Sequence, residues 1–184
     1  MSATATSERS AAVRKIQTKT GAGSAPRAKA EPIVYARARF HEYVDEFAGA
    51  TPDQRIHAER EGVPGILVKD LAKRLGWANV RMFEVIGIPR ATAEQKTSAK
   101  TPIAGAAGQA ALGMVRLLGM ARDIVANSKT LQAKDFDTAK WLGQWIELPQ
   151  PALGGRKPAD LLDTPTGVET VVRLLGSLES GAYL

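Results

Sequence analysis

The sequence predicts an all-α fold. From about residue 32 onward, apolar residues recur every three or four positions, which is the spacing of a helix that buries one face. Thr-Pro pairs stand where two of these segments begin, and glycines stand where several end, as expected for helix caps. No segment shows the alternation of apolar and polar residues that marks a half-buried strand.

Residues 1–31 are rich in small, hydroxyl-bearing and basic residues and hold few large apolar ones. Such a segment buries too little surface to offset the entropy of ordering, so we predict a flexible basic tail. The next segment predicts an amphipathic helix over 33–49. A second helix, capped by Thr51, is predicted over 52–61 and a third over 66–75, and a glycine follows each of them.

Two short helices are then predicted over 79–86 and 90–98, separated by a break at Gly87-Ile88-Pro89. This arrangement is typical of a helix-turn-helix motif, whose second helix enters the major groove of DNA. The only apolar side chains of that second helix are alanines, so we expect a weak anchor on the domain. An ordinary αα-hairpin stays open as an alternative. The candidate DNA-binding residues are Arg90, Thr92, Gln95, Lys96 and Ser98.

A long helix rich in small residues is predicted over 106–127. Because small side chains let two helices approach closely, we expect the segment 102–128 to carry a dimer contact. The last third predicts a helix over 136–148 with Phe136 on its apolar side, and a final helix that begins at Pro165.

A turn with the sequence Gly154-Gly155 lies between these two helices, followed by two basic residues and a short predicted helix over 158–163. A phosphate-binding loop needs backbone N–H groups at the start of the helix, but Pro158 has none. A tight turn needs only the positive φ angles that glycine adopts freely. We therefore interpret the segment as a turn, and the sequence predicts no cofactor.

The net charge is +6, and its distribution along the chain is uneven. Residues 1–60 hold ten basic and seven acidic side chains, and residues 61–128 hold nine and five. Residues 129–184 hold six and seven. The first two thirds therefore suit an anionic partner such as nucleic acid, whereas the last third suits a protein partner.

Several functional classes are excluded by composition. The 184 residues include no cysteine, which excludes disulfides, thiolate zinc sites and cysteine nucleophiles and fits a reducing cytoplasm. No apolar run reaches the roughly 20 residues that span a membrane. His41 begins the segment His-Glu-Tyr-Val-Asp, which lacks the second histidine of a zinc-binding helix. We therefore predict a cytoplasmic, non-enzymatic protein without a metal site.

The last third carries Trp141-Leu142, the run Pro-x-Pro-Ala-Leu-Gly-Gly-Arg-x-Pro over 149–158, Leu-Leu-Asp-Thr over 161–164, Gly167, and Leu-x-x-Leu-x-x-Gly-x-Tyr over 175–183. Together these elements resemble the C-terminal toxin-binding domain of the Xre/MbcA/ParS antitoxins. The upstream segments GVPGILVKDLAKRLGW and FEVIGIPRATAEQK resemble the Xre-type helix-turn-helix of the same antitoxins.

The resemblance implies an antitoxin of a type II toxin–antitoxin system. Its partner would be a RES-domain toxin, which resembles ADP-ribosyltransferases and consumes NAD, and whose active site the antitoxin would occlude. It also implies a homodimer that represses its own operon by binding operator DNA. With the helix pattern, it divides the chain into a helix-turn-helix region over 32–101 and a toxin-binding domain over 129–184.

The candidate toxin-binding residues lie in that C-terminal domain. We expect the tail from Gly181 to Leu184 to enter or rim the toxin's active site, because Tyr183 is an aromatic anchor beside a free carboxylate. A stand-alone helix-turn-helix regulator without a toxin stays open as an alternative, and a neighbouring gene for a RES-type toxin would favour the antitoxin. The full set of candidates is Trp145, Leu153, Gly154, Gly155, Arg156, Lys157, Leu178, Tyr183 and Leu184.

Overall fold

A computed structural model of the chain describes residues 31–127 and 136–179, and the secondary structure within these ranges is helical. The predicted all-α fold is confirmed. Short 3-10 helices lie at Arg37–Arg39, Pro151–Leu153 and Pro158–Leu161. The eight α-helices of the described residues are α1 (Phe40–Ala48), α2 (Pro52–Glu61), α3 (Gly65–Leu75), α4 (Asn79–Val85), α5 (Arg90–Ser98), α6 (Gly105–Asn127), α7 (Thr138–Ile146) and α8 (Pro165–Glu179).

Local capping residues set several of these helix ends, as predicted. The side chain of Thr51 accepts from the backbone N–H of Gln54, the Gln54 side chain accepts from the backbone N–H of Thr51, and Pro52 takes the first position of α2. Gly76 ends α3 in the left-handed conformation, with φ of 76°. These ends depend on contacts within a few residues, which is why the sequence pattern located them.

The first predicted helix was wrong at its start, because α1 begins at Phe40 and not near Ile33. The segment before it is not α-helical, and a side chain of α3 binds it at two residues. The Tyr35 hydroxyl donates to Asp70 Oδ2 at 2.6 Å, and the Arg37 guanidinium pairs with Asp70 Oδ1 at 2.8 Å. Ile33 also packs against the core, so its apolar character reflects burial of an extended segment.

Phe136 was wrongly placed on the apolar side of the helix that became α7. Asp137 caps α7 by accepting a hydrogen bond from the backbone N–H of Lys140 at 3.1 Å. The helix therefore begins at Thr138, and Phe136 precedes it with 43% of its surface exposed. An aspartate at this position is a strong N-cap, and it outweighs the apolar period that Phe136 would have extended.

The long helix α6 is central and packs against α1, α2, α3, α7 and α8. Its glycines permit this close packing. A Cβ at Gly113 would lie 2.6 Å from Cγ1 of Val168 in α8, and a Cβ at Gly119 would lie 2.8 Å from Cβ of Ala48 in α1. The small residues that were predicted to mediate a dimer contact thus pack against helices of the same chain. A dimer contact on this segment stays a prediction and would use the exposed residues near the ends of α6.

The helix α5 is anchored by more than its alanines. Only Ala93 among them is buried. Thr97 packs directly against Gly65 at the start of α3 and donates from Oγ1 to the carbonyl of Ala93 at 2.7 Å. Lys69 of α3 also pairs with Glu94 at 2.7 Å. These contacts hold α5 on α3 in a way that the hydrophobic pattern did not reveal.

The C-terminal helices pack against the preceding part of the chain: α7 contacts α3 and α6, and α8 contacts α6. An isolated antiparallel bridge between Val63 and Ile103 is the only β-type pairing among the described residues. None of the helices in residues 31–127 and 136–179 is both long and apolar enough to cross a membrane.

Candidate functional site

The segment that joins α7 to α8 begins with a closed turn, residues 147–158, which we call the α7–α8 turn. Gln150 is buried at its base, and its side-chain amide donates to the carbonyl of Leu148 at 3.2 Å. The backbone N–H of Gln150 donates to the carbonyl of Arg156 at 3.0 Å, and its carbonyl accepts from the N–H of Gly155 at 3.0 Å. Both halves of the turn therefore close on one residue, which gives the turn a defined shape.

The diglycine at the tip of this turn adopts the left-handed conformation, as predicted, with φ of 66° at Gly154 and 82° at Gly155. No atom lies within 4 Å of a Cβ built at either position, so the tip faces open space. Leu153 is buried beneath the tip. The N–H of Lys157 donates to Asp160 Oδ2 at 3.3 Å, so this N–H is taken up by the cap of the following 3-10 helix.

The predicted toxin-binding residues differ in how exposed they are. Gly154, Gly155 and Arg156 are exposed at the tip of the α7–α8 turn. Trp145 is only 7% exposed and stacks on Trp141 with ring centroids 6.3 Å apart, so it supports the turn from below. The other members are the buried Leu153, the half-buried Lys157 and Leu178, and Tyr183 and Leu184, which lie outside the described residues.

Leu148 is an exposed apolar residue that the pattern did not single out. Leu148 is 56% exposed, and the exposed residues Pro149 and Pro151 follow it in the turn. A large apolar side chain just beyond the end of a helix and directly before a proline was the available signal. We call the exposed residues of this turn the turn surface: Leu148, Pro149, Pro151, Ala152, Gly154, Gly155 and Arg156.

Glu147 ties the α7–α8 turn to α4, which belongs to the predicted helix-turn-helix. Its Oε1 accepts from Nε of Arg81 at 2.7 Å, and its Oε2 pairs with Nζ of Lys157 at 3.4 Å. Arg81, followed by Lys157, holds the pKa of Glu147 below its usual range. Arg81 and Glu147 lie 66 positions apart in the chain, so no local pattern predicted the pair.

We expect Glu147→Gln to flatten the acid limb of the stability profile. A carboxyl whose pKa is lower in the folded protein adds stability above its ordinary pKa of 4.5, and this stability is lost as the pH falls through the folded value. Urea unfolding between about pH 7 and pH 3 should therefore show a smaller loss in the variant than in the wild type. Equal losses would contradict the assignment of this network. Some slope remains in the variant, because Asp137 also has a lowered pKa, from its hydrogen bonds with Lys140.

The predicted DNA-binding residues lie on α5, after a turn in which Gly87 has φ of 70°. Arg90, Gln95 and Ser98 are exposed, and Thr92 is half-buried. Lys96 is half-buried and donates from Nζ to the carbonyl of Pro102 at 3.2 Å. The structure therefore brings these residues onto one short helix, and their role in DNA binding stays a prediction.

The residues that the structure describes were compared with the ligand sets of metal sites and with the prediction for His41. No group of three or more histidine, aspartate or glutamate side chains there could hold a metal ion. His41 is exposed on α1, as predicted, and its nearest side-chain partner is Arg74, at 3.0 Å.

Two comparisons with known proteins bear on this site. Residues 136–181 match the family described as "Antitoxin Xre/MbcA/ParS C-terminal toxin-binding domain". The chain is also similar to the "Prs ADP-ribosylating antitoxin" of Sphingobium sp. (strain YBL2), with 34% identity over 134 residues that cover 73% of this chain and 83% of that protein. The matched family domain includes α7, the whole turn surface and α8.

Proposed function

Because the chain belongs to the Xre/MbcA/ParS-type antitoxins, we propose that it neutralises a RES-type, NAD-consuming toxin by covering that toxin's active site. The family membership establishes an antitoxin with a toxin-binding domain. The observation that carries the finer proposal is the turn surface, which combines an exposed leucine, prolines and an arginine on a backbone closed by Gln150.

The physics of protein interfaces supports this choice of surface. Interface cores are enriched in apolar side chains and arginine, and a few such residues supply most of the binding free energy. A turn that already has its bound shape loses little conformational entropy on association. In this proposal Tyr183 and Leu184, which lie outside the described residues, also contact the toxin. The name of the Sphingobium relative couples an antitoxin with ADP-ribosylation, which is compatible with a toxin that uses NAD.

Co-expression with the product of a neighbouring toxin gene tests the proposal. The two proteins should co-purify, and the mass of the complex should give its stoichiometry. Purified toxin should consume NAD, and the rate should fall to background as this chain approaches saturation. If a RES-type toxin still consumes NAD at its full rate in excess antitoxin, the proposed mechanism is wrong. The absence of any toxin partner would favour a stand-alone regulator.

A second activity, autorepression through operator DNA, is supported by α4 and α5, which form two short helices around a turn with polar side chains exposed on the second. The basic balance of residues 61–128, nine basic against five acidic side chains, supports the same partner. In this proposal the antitoxin acts as a homodimer, since dimers read paired half-sites on DNA. Light scattering on the isolated chain gives its molar mass and so tests whether it is a dimer.

We expect Arg90→Ala and Lys96→Ala together to weaken operator binding about tenfold or more and to reduce the dependence on salt, since each phosphate contact contributes to the salt slope. Fluorescence anisotropy at two salt concentrations measures both quantities. Arg173→Ala, which removes an exposed arginine from α8, is the matched control and should leave operator binding unchanged. Toxin binding should survive the double change. If operator affinity is the same in the double variant and the wild type, α5 does not contact DNA.

A further inference from the structure

A concave cleft of about 690 Å³ lies between α1, α3, α6 and the start of α7. This volume is within the range of small-molecule sites, which is about 300–1,000 Å³. The cleft is strongly basic, because five cationic side chains line it against the two carboxylates of Asp70 and Asp137. The cationic side chains are Arg37, Lys73, Arg74, Arg122 and Lys140.

Two of these five charges lack a compensating carboxylate. Among the described residues, no carboxylate lies within ion-pair distance of Lys73 or Arg74, which are adjacent in the last turn of α3. The other three are paired: Arg37 with Asp70 at 2.8 Å, Arg122 with Asp45 at 2.7 Å, and Lys140 with Asp137 at 3.1 Å.

Neutral contacts hold Arg74 in place and leave its charge available. Its Cζ lies 4.1 Å from the centroid of the Phe40 ring, and its Nη1 lies 3.0 Å from Nε2 of His41. The pKa of His41 is lowered by burial and by the charges of Arg74 and Arg122, against the opposing effect of Asp45. A protonation that is disfavoured by neighbouring cations indicates a locally positive potential, which an anion would relieve.

The ordinary explanation for Lys73 and Arg74 is that basic residues stabilise the carbonyl end of a helix. That explanation does not account for the further cations that α6, α7 and the segment before α1 place in the same cleft. Phe136 also lines the cleft with a partly exposed ring. Cations beside an aromatic face suit a phosphate that carries a planar group.

We propose that this cleft binds a small phosphate-bearing anion, with Lys73 and Arg74 contacting the phosphate and Phe136 flanking an attached base. A nucleoside phosphate and an inorganic polyphosphate share the phosphate chemistry, and they differ in the use of Phe136. The concave shape favours a small anion over duplex DNA, whose rod-like surface would meet only the rim.

Calorimetric titration of the full-length chain with pyrophosphate and with adenosine triphosphate tests the proposal. We expect saturable binding, and the combined Lys73→Ala and Arg74→Gln changes should weaken it at least tenfold. Arg60→Gln removes an exposed arginine outside the cleft and should leave it unchanged. Tighter binding of the nucleotide would assign a nucleoside phosphate, and equal affinities would assign the phosphate alone.

Two further measurements keep the test decisive. Because Arg74 packs on Phe40, the exposed Lys73→Ala change is also measured alone, with urea unfolding as the check on folding. The pKa of His41, followed by NMR, should rise when the anion binds, because a nearby negative charge favours the imidazolium. The proposal is overturned if neither anion saturates the protein, if the double variant binds as the wild type does, or if duplex DNA alone shifts His41.

Discussion

Leu148→Asp is expected to weaken toxin binding about a hundredfold while leaving the fold intact. The side chain is 56% exposed and stands at the edge of the turn surface, so the free antitoxin loses no core contact when it changes. In the complex, an apolar anchor becomes a buried charge, and the loss of such an anchor costs about 2–4 kcal/mol. Substitutions at exposed positions change folding stability by only about 0.5 kcal/mol.

Val34→Asp is the matched control for this variant. Val34 is 68% exposed and lies outside the turn surface, before α1, so the same chemical change should leave the affinity as it was. Titration calorimetry with purified toxin gives the two dissociation constants, and urea unfolding gives the two stabilities. If both variants bind the toxin with wild-type affinity, Leu148 lies outside the interface and the turn surface is wrongly assigned.

Trp145 would be a poor choice for the same experiment. It was predicted to contact the toxin, but only 7% of its surface is exposed. Truncating a buried tryptophan to alanine costs about 3–5 kcal/mol of folding stability. If that variant lost toxin binding, the cause could be unfolding of the domain or a lost contact. A change at the exposed Leu148 tests the contact without unfolding the domain.

The contrast between these residues marks what the sequence could predict. Helix ends at Thr51 and Gly76 and the positive φ of Gly154 were predictable, because a cap or a tight turn depends on neighbours in the chain. The recurrence of apolar residues every three or four positions also located the buried faces. How deeply an apolar residue is buried is set by tertiary contacts, so the burial of Trp145 could not be predicted. Phe136 was misplaced for a local reason, because Asp137 caps the helix directly after it.

Contacts between residues far apart in the chain could not be predicted from the sequence pattern. The Arg81–Glu147 pair joins α4 to the α7–α8 turn, and Arg74 and Arg122 approach His41 from two other helices. In the sequence, each of them is one charged residue among many on a predicted helix. Only the packing of α3, α6 and α7 brings them together. The anchoring of α5 through Thr97 and Gly65 has the same origin, since a polar residue and a glycine add nothing to a hydrophobic pattern.

Gly143→Ala is expected to lower the free energy of unfolding by about 1–3 kcal/mol, the usual cost of overpacking. Gly143 lies inside α7 where it crosses α3. A Cβ there would overlap the carbonyl oxygen of Leu75 and lie 3.1 Å from the Leu75 Cβ. A backbone carbonyl cannot turn aside as a side chain can, so the two helices would have to separate. Their separation would also strain the hydrogen bond from Trp77 Nε1 to the carbonyl of Gly143, which is 3.1 Å long.

The expected loss of stability has the opposite sign to the usual effect of replacing glycine with alanine in a helix. In an open helix interior, alanine is more stable than glycine by about 1 kcal/mol. Gly176→Ala in α8 is the matched control, since the nearest atom to its Cβ would be Cε of Met120 at 3.7 Å, an ordinary contact. Urea unfolding should therefore show Gly176→Ala unchanged or stabilised and Gly143→Ala destabilised. Because α7 lies in the segment that matches the toxin-binding domain, Gly143→Ala should also weaken toxin binding. A shift of the same sign in both variants would contradict the close crossing of these helices.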